Sequence, residues 1–233
     1  MRLFLFDVDG TLINAGGAGR TALARALEEV YGTTGTIDRY DFRGRTDPRI
    51  VLDLLGGAGW DEADIRARLD AYFAAYLREL DVLLSDGARV RLLPGVADVV
   101  RALNAREDAV VGLLTGNIEP GARVKLRSTG LWPLFRVGAF GSDHADRRQL
   151  PAVARQRAYD HLGHDIPFHR VTIIGDTPLD VDCARACGAL AVAVATGRYT
   201  ETELAACGPD VLFADFAEVD RVIEKLRGRS HRR

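Results

Sequence analysis

The strongest constraint on the fold is an apolar run near the start of the chain that ends in two acidic residues. Leu3-Phe-Leu-Phe6 is followed at once by Asp7 and Asp9, and then by Gly10 and Thr11. A short apolar run that stops at a glycine-containing break is typical of a buried β-strand. Acidic residues at the carboxyl end of such a strand lie where open α/β sheets place their active sites. Because Asp7 and Asp9 are two residues apart, we expect both side chains on one side of the strand.

This pair of acids also favours a metal ion. Two carboxylates held close together repel each other unless a cation or a proton relieves the repulsion. Hard oxygen ligands favour a divalent cation such as Mg²⁺. The same residues would also suit a solvent-exposed acidic turn after a strand, so the rest of the chain has to decide between the two interpretations.

Composition and charge narrow the class of protein. The chain has 233 residues, of which 47% are apolar and 27% charged, and its net charge is −2. These values are typical of a globular protein with room for one α/β domain and a smaller insert. They give no electrostatic case for a nucleic-acid partner. The basic stretch 227–233 is interpreted as a frayed terminus.

The sequence also favours a cytoplasmic protein. No run is long and apolar enough to cross a membrane, and no signal peptide is apparent. The three cysteines are too few for a disulfide framework and suit a reducing compartment. Cys183 and Cys187 are interpreted as small buried apolar residues, because no histidine nearby has the spacing of a zinc site.

Strands and helices alternate in the last two thirds of the chain. The predicted strands are 109–114, 137–140, 171–174, 189–194 and 211–213, and the predicted helices are 96–103, 120–128, 150–162, one that ends at 186, and 218–226. This alternation predicts a parallel sheet covered by helices on both faces. Between Arg20 and Asp81 the chain shows three helical stripes and no clear strand, after a connector 14–19 that we interpret as a hinge.

Polar groups follow two further predicted strands. Thr115-Gly116-Asn117 comes after strand 109–114, and Gly175-Asp176-Thr177 comes after strand 171–174, with Asp180 four residues beyond Asp176. Each motif alone is weak, because such residues often cap helices. Together they would place metal- and phosphate-compatible groups at one edge of the sheet.

These motifs occur in the same order in a known family of proteins. Asp7-Val-Asp-Gly-Thr11, Thr115-Gly-Asn117 and Gly175-Asp-Thr-Pro-Leu-Asp180 match, in order, the first, second and fourth motifs of the haloacid dehalogenase superfamily of phosphohydrolases. The resemblance covers essentially the whole chain. It implies an α/β fold with a Rossmann-like catalytic core, residues 1–14 and 86–233, and an inserted all-helical cap, residues 15–85. The insert position resembles that of phosphoglycolate phosphatase-like and β-phosphoglucomutase-like members.

The resemblance also implies roles for the acids. Asp7 would attack phosphorus to form an aspartyl-phosphate, and Asp9 would protonate the leaving alcohol. Mg²⁺ would be bound by Asp7, by the backbone carbonyl of Asp9 and by Asp176. Asp180 would act behind these ligands and orient Lys125 or a water molecule beside the metal.

Three consecutive residues and one lysine would bind the phosphate group. The resemblance implies that Thr115, Gly116 and Asn117 bind its oxygens with their hydroxyl, amide or backbone N–H groups. The third motif of the family, a Lys-Pro, is missing from residues 143–150, and the chain has only two lysines, Lys125 and Lys225. Lys125 is the expected substitute, with Arg147 or Arg148 as alternatives.

A polar segment of the insert, residues 42–49, is compatible with two interpretations. Arg43, Arg45 and Thr46 would contact a carboxylate or a second phosphate of the substrate if this segment reaches the active site. Alternatively, the segment is a solvated helix start, with Thr46 or Asp47 as the cap and Pro48 in the first turn.

The expected activity is hydrolysis of a small organic phosphate monoester, for which phosphoglycolate is suggested at the level of the family. The presence of an acid at Asp9 favours phosphoryl transfer over dehalogenation, because a halide leaves without a proton. A phosphomutase on the same scaffold and a non-catalytic binding protein remain alternatives. The expected partner is a small phosphate ester, and the expected assembly is a monomer or homodimer.

Overall fold

A six-stranded parallel sheet forms the centre of the molecule. The computed structural model describes residues 1–228, so residues 229–233 of the basic terminal stretch lie outside the described residues. The strands are β1 (Arg2–Phe6), β2 (Ile13–Asn14), β3 (Arg91–Leu92), β4 (Ala109–Thr115), β5 (Val137–Phe140), β6 (Val171–Gly175), β7 (Leu190–Val194) and β8 (Val211–Phe213). The helices are α1 (Ala18–Tyr31), α2 (Asp47–Gly56), α3 (Glu62–Arg66), α4 (Leu69–Leu83), α5 (Val96–Asn104), α6 (Glu119–Leu126), α7 (Leu150–Leu162), α8 (Pro178–Cys187), α9 (Glu201–Ala206) and α10 (Val219–Gly228).

The strand order is β5-β4-β1-β6-β7-β8, and every neighbouring pair in this sheet is parallel. The chain extends the sheet from β1 through β4 to β5 on one side and from β6 to β8 on the other. The strand order therefore reverses at β1, where Leu3 pairs with both Val110 and Val171. In an open sheet of this kind the crevice beside the reversal point is the usual ligand site.

Side chains of β1 alternate between two buried layers. Leu3 and Leu5 pack with residues of α7 and α8, whereas Phe4 and Phe6 pack with residues of α5 and α10. All four are buried, since helices cover both faces of the sheet. The predicted α/β class, with a parallel sheet flanked by helices, is confirmed.

The segment between β2 and β3 contains helices and no strand, and it has its own apolar core. Helices α1 to α4, which we call the insert, pack around residues that include Leu27, Leu54 and Tyr72. The most extensive packing within the insert is between α1 and α4. The three predicted helical stripes are present, but the third is divided between α3 and α4.

The ends of the insert are tied together by a short ribbon that the sequence did not indicate. Ile13 pairs with Leu92 and Asn14 with Arg91 in an antiparallel arrangement. The interpretation of residues 14–19 as a hinge was wrong in extent, because Asn14 lies in β2 and α1 already begins at Ala18. Two-residue strands have no measurable periodicity, and the partner strand is far away in sequence.

Most other predicted elements agree with the structure to within two residues, including α7 at both of its ends. Cys183 is buried in the apolar core, as predicted, whereas Cys187, which was also predicted to be buried, is only half-buried. Among the described residues, no helix is long and apolar enough to span a membrane.

Truncation of the central strand tests this packing. Leu5 is fully buried at the centre of the sheet, so Leu5→Ala should lower the free energy of unfolding in urea by about 2–5 kcal/mol, because it leaves a cavity. Val82 is 63% exposed in α4. The matched control Val82→Ala should therefore change the unfolding free energy by less than about 0.5 kcal/mol. Equal effects of the two substitutions would contradict the assignment of β1 as the central strand.

Candidate active site

The sheet brings the three sequence motifs to one edge. Asp7 follows β1, Thr115 ends β4 and Asp176 follows β6, and these three strands are adjacent. The backbone N–H of Asp7 donates to the carbonyl of Ile174 at 2.9 Å, which extends the pairing of β1 and β6 to the first acid. The carboxyl ends of adjacent parallel strands therefore form one polar site at the point where the strand order reverses.

Three buried acids form what we call the acidic cluster. One carboxylate oxygen from each of Asp7, Asp176 and Asp180 lies within 4.8 Å of the others. Burial, only partly offset by Arg147, raises the pKa of Asp7 to about 6. Burial and the neighbouring Asp180 also raise the pKa of Asp176 well above its usual range. Buried carboxylates at this separation fit a hard divalent cation, which would relieve both their burial and their repulsion.

A helix start fixes the position of two of these acids. Thr177 is the N-cap of α8, where its hydroxyl accepts from the backbone N–H of Asp180 at 3.3 Å and the Asp180 carboxylate accepts from the backbone N–H of Thr177 at 3.0 Å. This reciprocal capping holds Asp180 in the first turn of α8 and fixes the backbone directly after Asp176. Thr177 thus acts as a helix cap, as the sequence indicated.

Asp9 is oriented away from the acidic cluster. Its Oδ2 accepts from Nζ of Lys125 at 2.6 Å and from Nδ2 of Asn117 at 2.8 Å, and 43% of its side chain is exposed. The carboxylate of Asp9 is therefore not one of the three clustered acids. The expectation that its backbone carbonyl binds the metal stays a prediction.

Lys125 is buried in a network made by the second motif. Its Nζ donates to Oδ1 of Asn117 at 2.5 Å, and Nδ2 of Asn117 donates to the hydroxyl of Thr115 at 2.8 Å. Burial disfavours the charge of Lys125, but Asp9 and Asp47 outweigh it and raise the pKa of the ammonium group. The network holds a cation beside Asp9, next to the end of β4.

Arg147 supplies a second buried cation. Its Nη2 lies 3.3 Å from Oδ1 of Asp7 and also pairs with Asp180, while its Nη1 donates to the carbonyl of Gly44 in the insert at 3.1 Å. Asp180 thus contacts Arg147 and not Lys125, which differs from one role that the sequence predicted for it. The Nε of Arg147 is buried without a hydrogen-bond partner within residues 1–228.

Arg148, the remaining candidate for the third motif, lies outside the site. Its guanidinium is exposed and pairs with Asp182 on the surface of α8 at 2.7 Å. Sequence alone could not separate it from Arg147, because the two are adjacent in a short helical turn. The burial of one and the exposure of the other make the distinction.

The insert residues proposed to bind substrate take other partners. Arg43 pairs with Asp41 at 2.7 Å, and Arg45 lies 3.4 Å from Asp53. Thr46 is the N-cap of α2, as one interpretation expected, and its hydroxyl donates to the carbonyl of Ala145 at 2.6 Å. The structure does not bring either guanidinium to the acidic cluster. Substrate binding by these three residues stays a prediction.

Asp47, in the same segment, is a functional candidate that the sequence pattern did not indicate. Asp47 is buried, and its Oδ2 accepts from the backbone N–H of Ile118 at 2.8 Å. The sequence indicated only a possible cap at this position, because an acid before a proline is common at a helix start. Since Thr46 fills that role, the carboxylate of Asp47 is available to the core.

The raised pKa of Asp7 leads to a pH-dependent stability. Its pKa of about 6 in the folded state exceeds the unfolded value of 3.8, so its contribution is fully present below 3.8 and is lost as the pH rises through 6. In metal-free buffer, Asp7→Asn should therefore raise the free energy of unfolding by about 3 kcal/mol at pH 8, and by about half of that at pH 5.

Urea unfolding at the two pH values measures this difference. The matched control is Asp38→Asn, because the Asp38 side chain is 92% exposed and should show no such trend. A gain from Asp7→Asn that is the same at both pH values would contradict the electrostatic description of the cluster.

Comparisons with known proteins agree with this geometry. Residues 4–185 match the family model described as haloacid dehalogenase-like hydrolase. The chain is 26% identical to the phosphoglycolate phosphatase of Synechococcus elongatus, over 97% of this chain and 99% of that protein. It is 29% identical to the phosphoglycolate phosphatase of Rhodospirillum rubrum, over 92% and 88% of the two chains.

Solved structures share the fold. A hydrolase from Pseudomonas syringae superposes with a TM-score of 0.73 at 18% identity, over 98% of this chain and 100% of that one. The family match covers more than three quarters of the sequence and includes all three motifs that meet at the sheet edge. The chain belongs to the haloacid dehalogenase-like hydrolase family.

Proposed function

We propose that this protein is a Mg²⁺-dependent phosphatase that hydrolyses small organic phosphate monoesters through an aspartyl-phosphate. The observation that carries this proposal is the placement of the buried acidic cluster directly beside the Asp9–Lys125 pair, at the edge where β1, β4 and β6 end. The names of the two phosphoglycolate phosphatase relatives support the same reaction class.

Asp7 is the proposed nucleophile. A carboxylate oxygen of Asp7 attacks phosphorus as the bond between phosphorus and the ester oxygen breaks, which leaves an acyl phosphate on the side chain. The guanidinium of Arg147, 3.3 Å away, favours the ionised form that this attack requires. With a pKa of about 6, Asp7 is ionised at neutral pH.

Asp9 is the proposed general acid and base. It gives a proton to the leaving oxygen in the first step and takes one from the attacking water in the second, when inorganic phosphate is released and Asp7 is restored. Lys125 and Asn117 hold one of its carboxylate oxygens. Its partly exposed side chain is accessible to a ligand that enters from the solvent.

The acidic cluster is the proposed metal site. Asp7 and Asp176 would hold Mg²⁺. Asp180 lies in the first turn of α8, pairs with Arg147 and would support these two ligands without binding the ion itself. When bound, the ion would neutralise negative charge on the carboxylates and on the phosphate. These residues fit a divalent cation. The three buried carboxylates lie close together, and the pKa values of Asp7 and Asp176 are raised, so Arg147 alone does not balance their charge.

Two cations and the second motif are proposed to bind the phosphate oxygens. Lys125 contacts Asp9, and Arg147 contacts Asp7. Thr115, Gly116 and Asn117 add hydroxyl and N–H donors, as expected from the sequence. The cytoplasmic location and the monomeric or dimeric state remain predictions.

Phosphate release from a panel of esters tests the reaction. With Mg²⁺, the protein should release inorganic phosphate from at least one small ester, such as phosphoglycolate. Both EDTA and the substitution Asp7→Asn should lower the rate by at least about 10³-fold, because each removes a group required for chemistry. Release that is unaffected by Asp7→Asn would contradict the proposed nucleophile. Isomerisation of a sugar phosphate without net release would indicate the phosphomutase.

Separate substitutions test the two buried cations. Lys125→Met should lower kcat by about 10²- to 10³-fold, because it removes a preorganised positive charge from the site. Arg147→Met should have a comparable effect, and Arg147→Lys should restore part of the rate by returning the charge.

The matched control for these variants is Arg148→Met, because Arg148 is exposed and bound to Asp182. Its kcat should stay within about twofold of the unsubstituted protein. A loss with Arg148→Met as large as that with Arg147→Met would contradict the assignment, and thermal unfolding of each variant shows whether it remains folded.

A further inference from the structure

Asp47 is a buried acid of the insert that the proposed chemistry does not use. It occupies the first turn of α2 and is 9% exposed. Acids at this place in a helix usually serve as caps exposed to solvent. Here Thr46 is the cap, and its hydroxyl accepts from the backbone N–H of Arg49 at 3.3 Å. Another interaction has to account for the burial of the Asp47 carboxylate.

Two hydrogen bonds from Asp47 bracket the segment that follows β4. The backbone N–H of Asp47 donates to the carbonyl of Gly116 at 2.7 Å. The carboxylate of Asp47 accepts from the backbone N–H of Ile118 at 2.8 Å. Such close approach requires glycine, because a β-carbon on Gly116 would lie 2.0 Å from the carbonyl oxygen of Arg45.

Asn117 lies between these two contacts, and its side chain holds the residues proposed for proton transfer. Its side chain binds Asp9 through Nδ2 and Lys125 through Oδ1. Its own carbonyl accepts from the backbone N–H of Gly141 at 2.8 Å, which anchors the segment to the end of β5. The segment is therefore held by the sheet on one side and by the insert on the other, through Asp47 and through the side chain of Ile118, which packs in the apolar core of the insert.

Other contacts of the insert reach different parts of the core. The hydroxyl of Thr46 donates to Ala145, and the carbonyl of Gly44 accepts from Arg147. Neither contact touches residues 116–118. Among these docking hydrogen bonds, the two made by Asp47 are the ones that fix the backbone groups on either side of Asn117.

We infer that Asp47 is a positioning residue that couples docking of the insert to proton transfer by Asp9. When the insert docks, the carboxylate of Asp47 binds the Ile118 N–H and fixes the backbone around Asn117. Asn117 in turn orients the carboxylate of Asp9 and the ammonium of Lys125 toward the leaving oxygen. This inference rests on the proposed function, because it assumes that Asp9 protonates the leaving group.

The dependence of the rate on the leaving group provides a specific readout. An alkyl phosphate needs a proton on the departing oxygen, whereas p-nitrophenyl phosphate leaves as a stabilised phenolate and needs little acid assistance. Misplacement of Asp9 should therefore lower kcat/KM selectively for the alkyl ester, because kcat/KM reports on phosphoryl transfer to Asp7 and not on the later hydrolysis of the aspartyl-phosphate that both esters share. A general loss of folding or docking would slow both esters by the same factor.

The experiment measures kcat/KM for the best alkyl ester and for p-nitrophenyl phosphate with Asp47→Ala, Asp47→Ser and Asp47→Asn. Alanine and serine cannot reach the Ile118 N–H, so each should lower kcat/KM for the alkyl ester at least about tenfold, and for the nitrophenyl ester less than about threefold. Asparagine retains an acceptor oxygen and should stay within about threefold for both esters. Thermal unfolding identifies any variant that does not fold.

Thr46→Val is the matched control, because it removes a neighbouring docking hydrogen bond that does not involve residues 116–118. It should change the two rates by the same factor. The inference is overturned if the loss in Asp47→Ala and Asp47→Ser is equal for both esters, if Asp47→Asn loses as much as Asp47→Ala, or if Thr46→Val shows the same selectivity.

The outcome for the unsubstituted protein separates this inference from the proposed function. Failure to hydrolyse either ester in the presence of Mg²⁺ would remove the proposed function, and this inference with it. Hydrolysis of both esters by the unsubstituted protein, with no leaving-group selectivity in the Asp47 variants, would leave the phosphatase intact and remove the inference alone.

Discussion

The repulsion among Asp7, Asp176 and Asp180 is the constraint on which the rest of the site depends. Three carboxylates within 4.8 Å of one another are buried at the end of the central strand, where water cannot screen them. The guanidinium of Arg147 balances part of this charge, and the divalent cation proposed above would balance the remainder. Such a cluster is costly for stability, and it persists because the sheet and the cap of α8 fix its members.

Asp7 and Asp9 are paired with different buried cations, Arg147 and Lys125. Asp7 lies in the acidic cluster beside Arg147, in the part of the site suited to nucleophilic attack. Asp9 is instead held in a half-exposed position by Lys125 and Asn117. Two carboxylates that are two residues apart in sequence therefore have different environments. This difference matches the division of labour expected of a nucleophile and a general acid.

The sequence predicted the sheet and its polar edge because strand, break and acid occur together in short motifs. Asp7, Thr115 and Asp176 could be placed without a structure, since each directly follows an apolar run. Arg147 could not be distinguished from Arg148, because burial in a loop is decided by tertiary contacts. The burial of Asp47 could not be predicted for the same reason, because its partner Ile118 lies far away in the sequence. The β2–β3 ribbon was missed because its strands are too short to show a period.

The ribbon has a consequence for how this architecture can vary. Ile13 and Leu92 are paired neighbours, so the chain leaves the core and returns to it at a single point. The separation of these two ends does not depend on what lies between them. Helices α1 to α4 can therefore be lengthened, shortened or exchanged without altering the spacing of β1 and β4. The shape of the insert can change in this way while the chemical groups at the sheet edge stay in place.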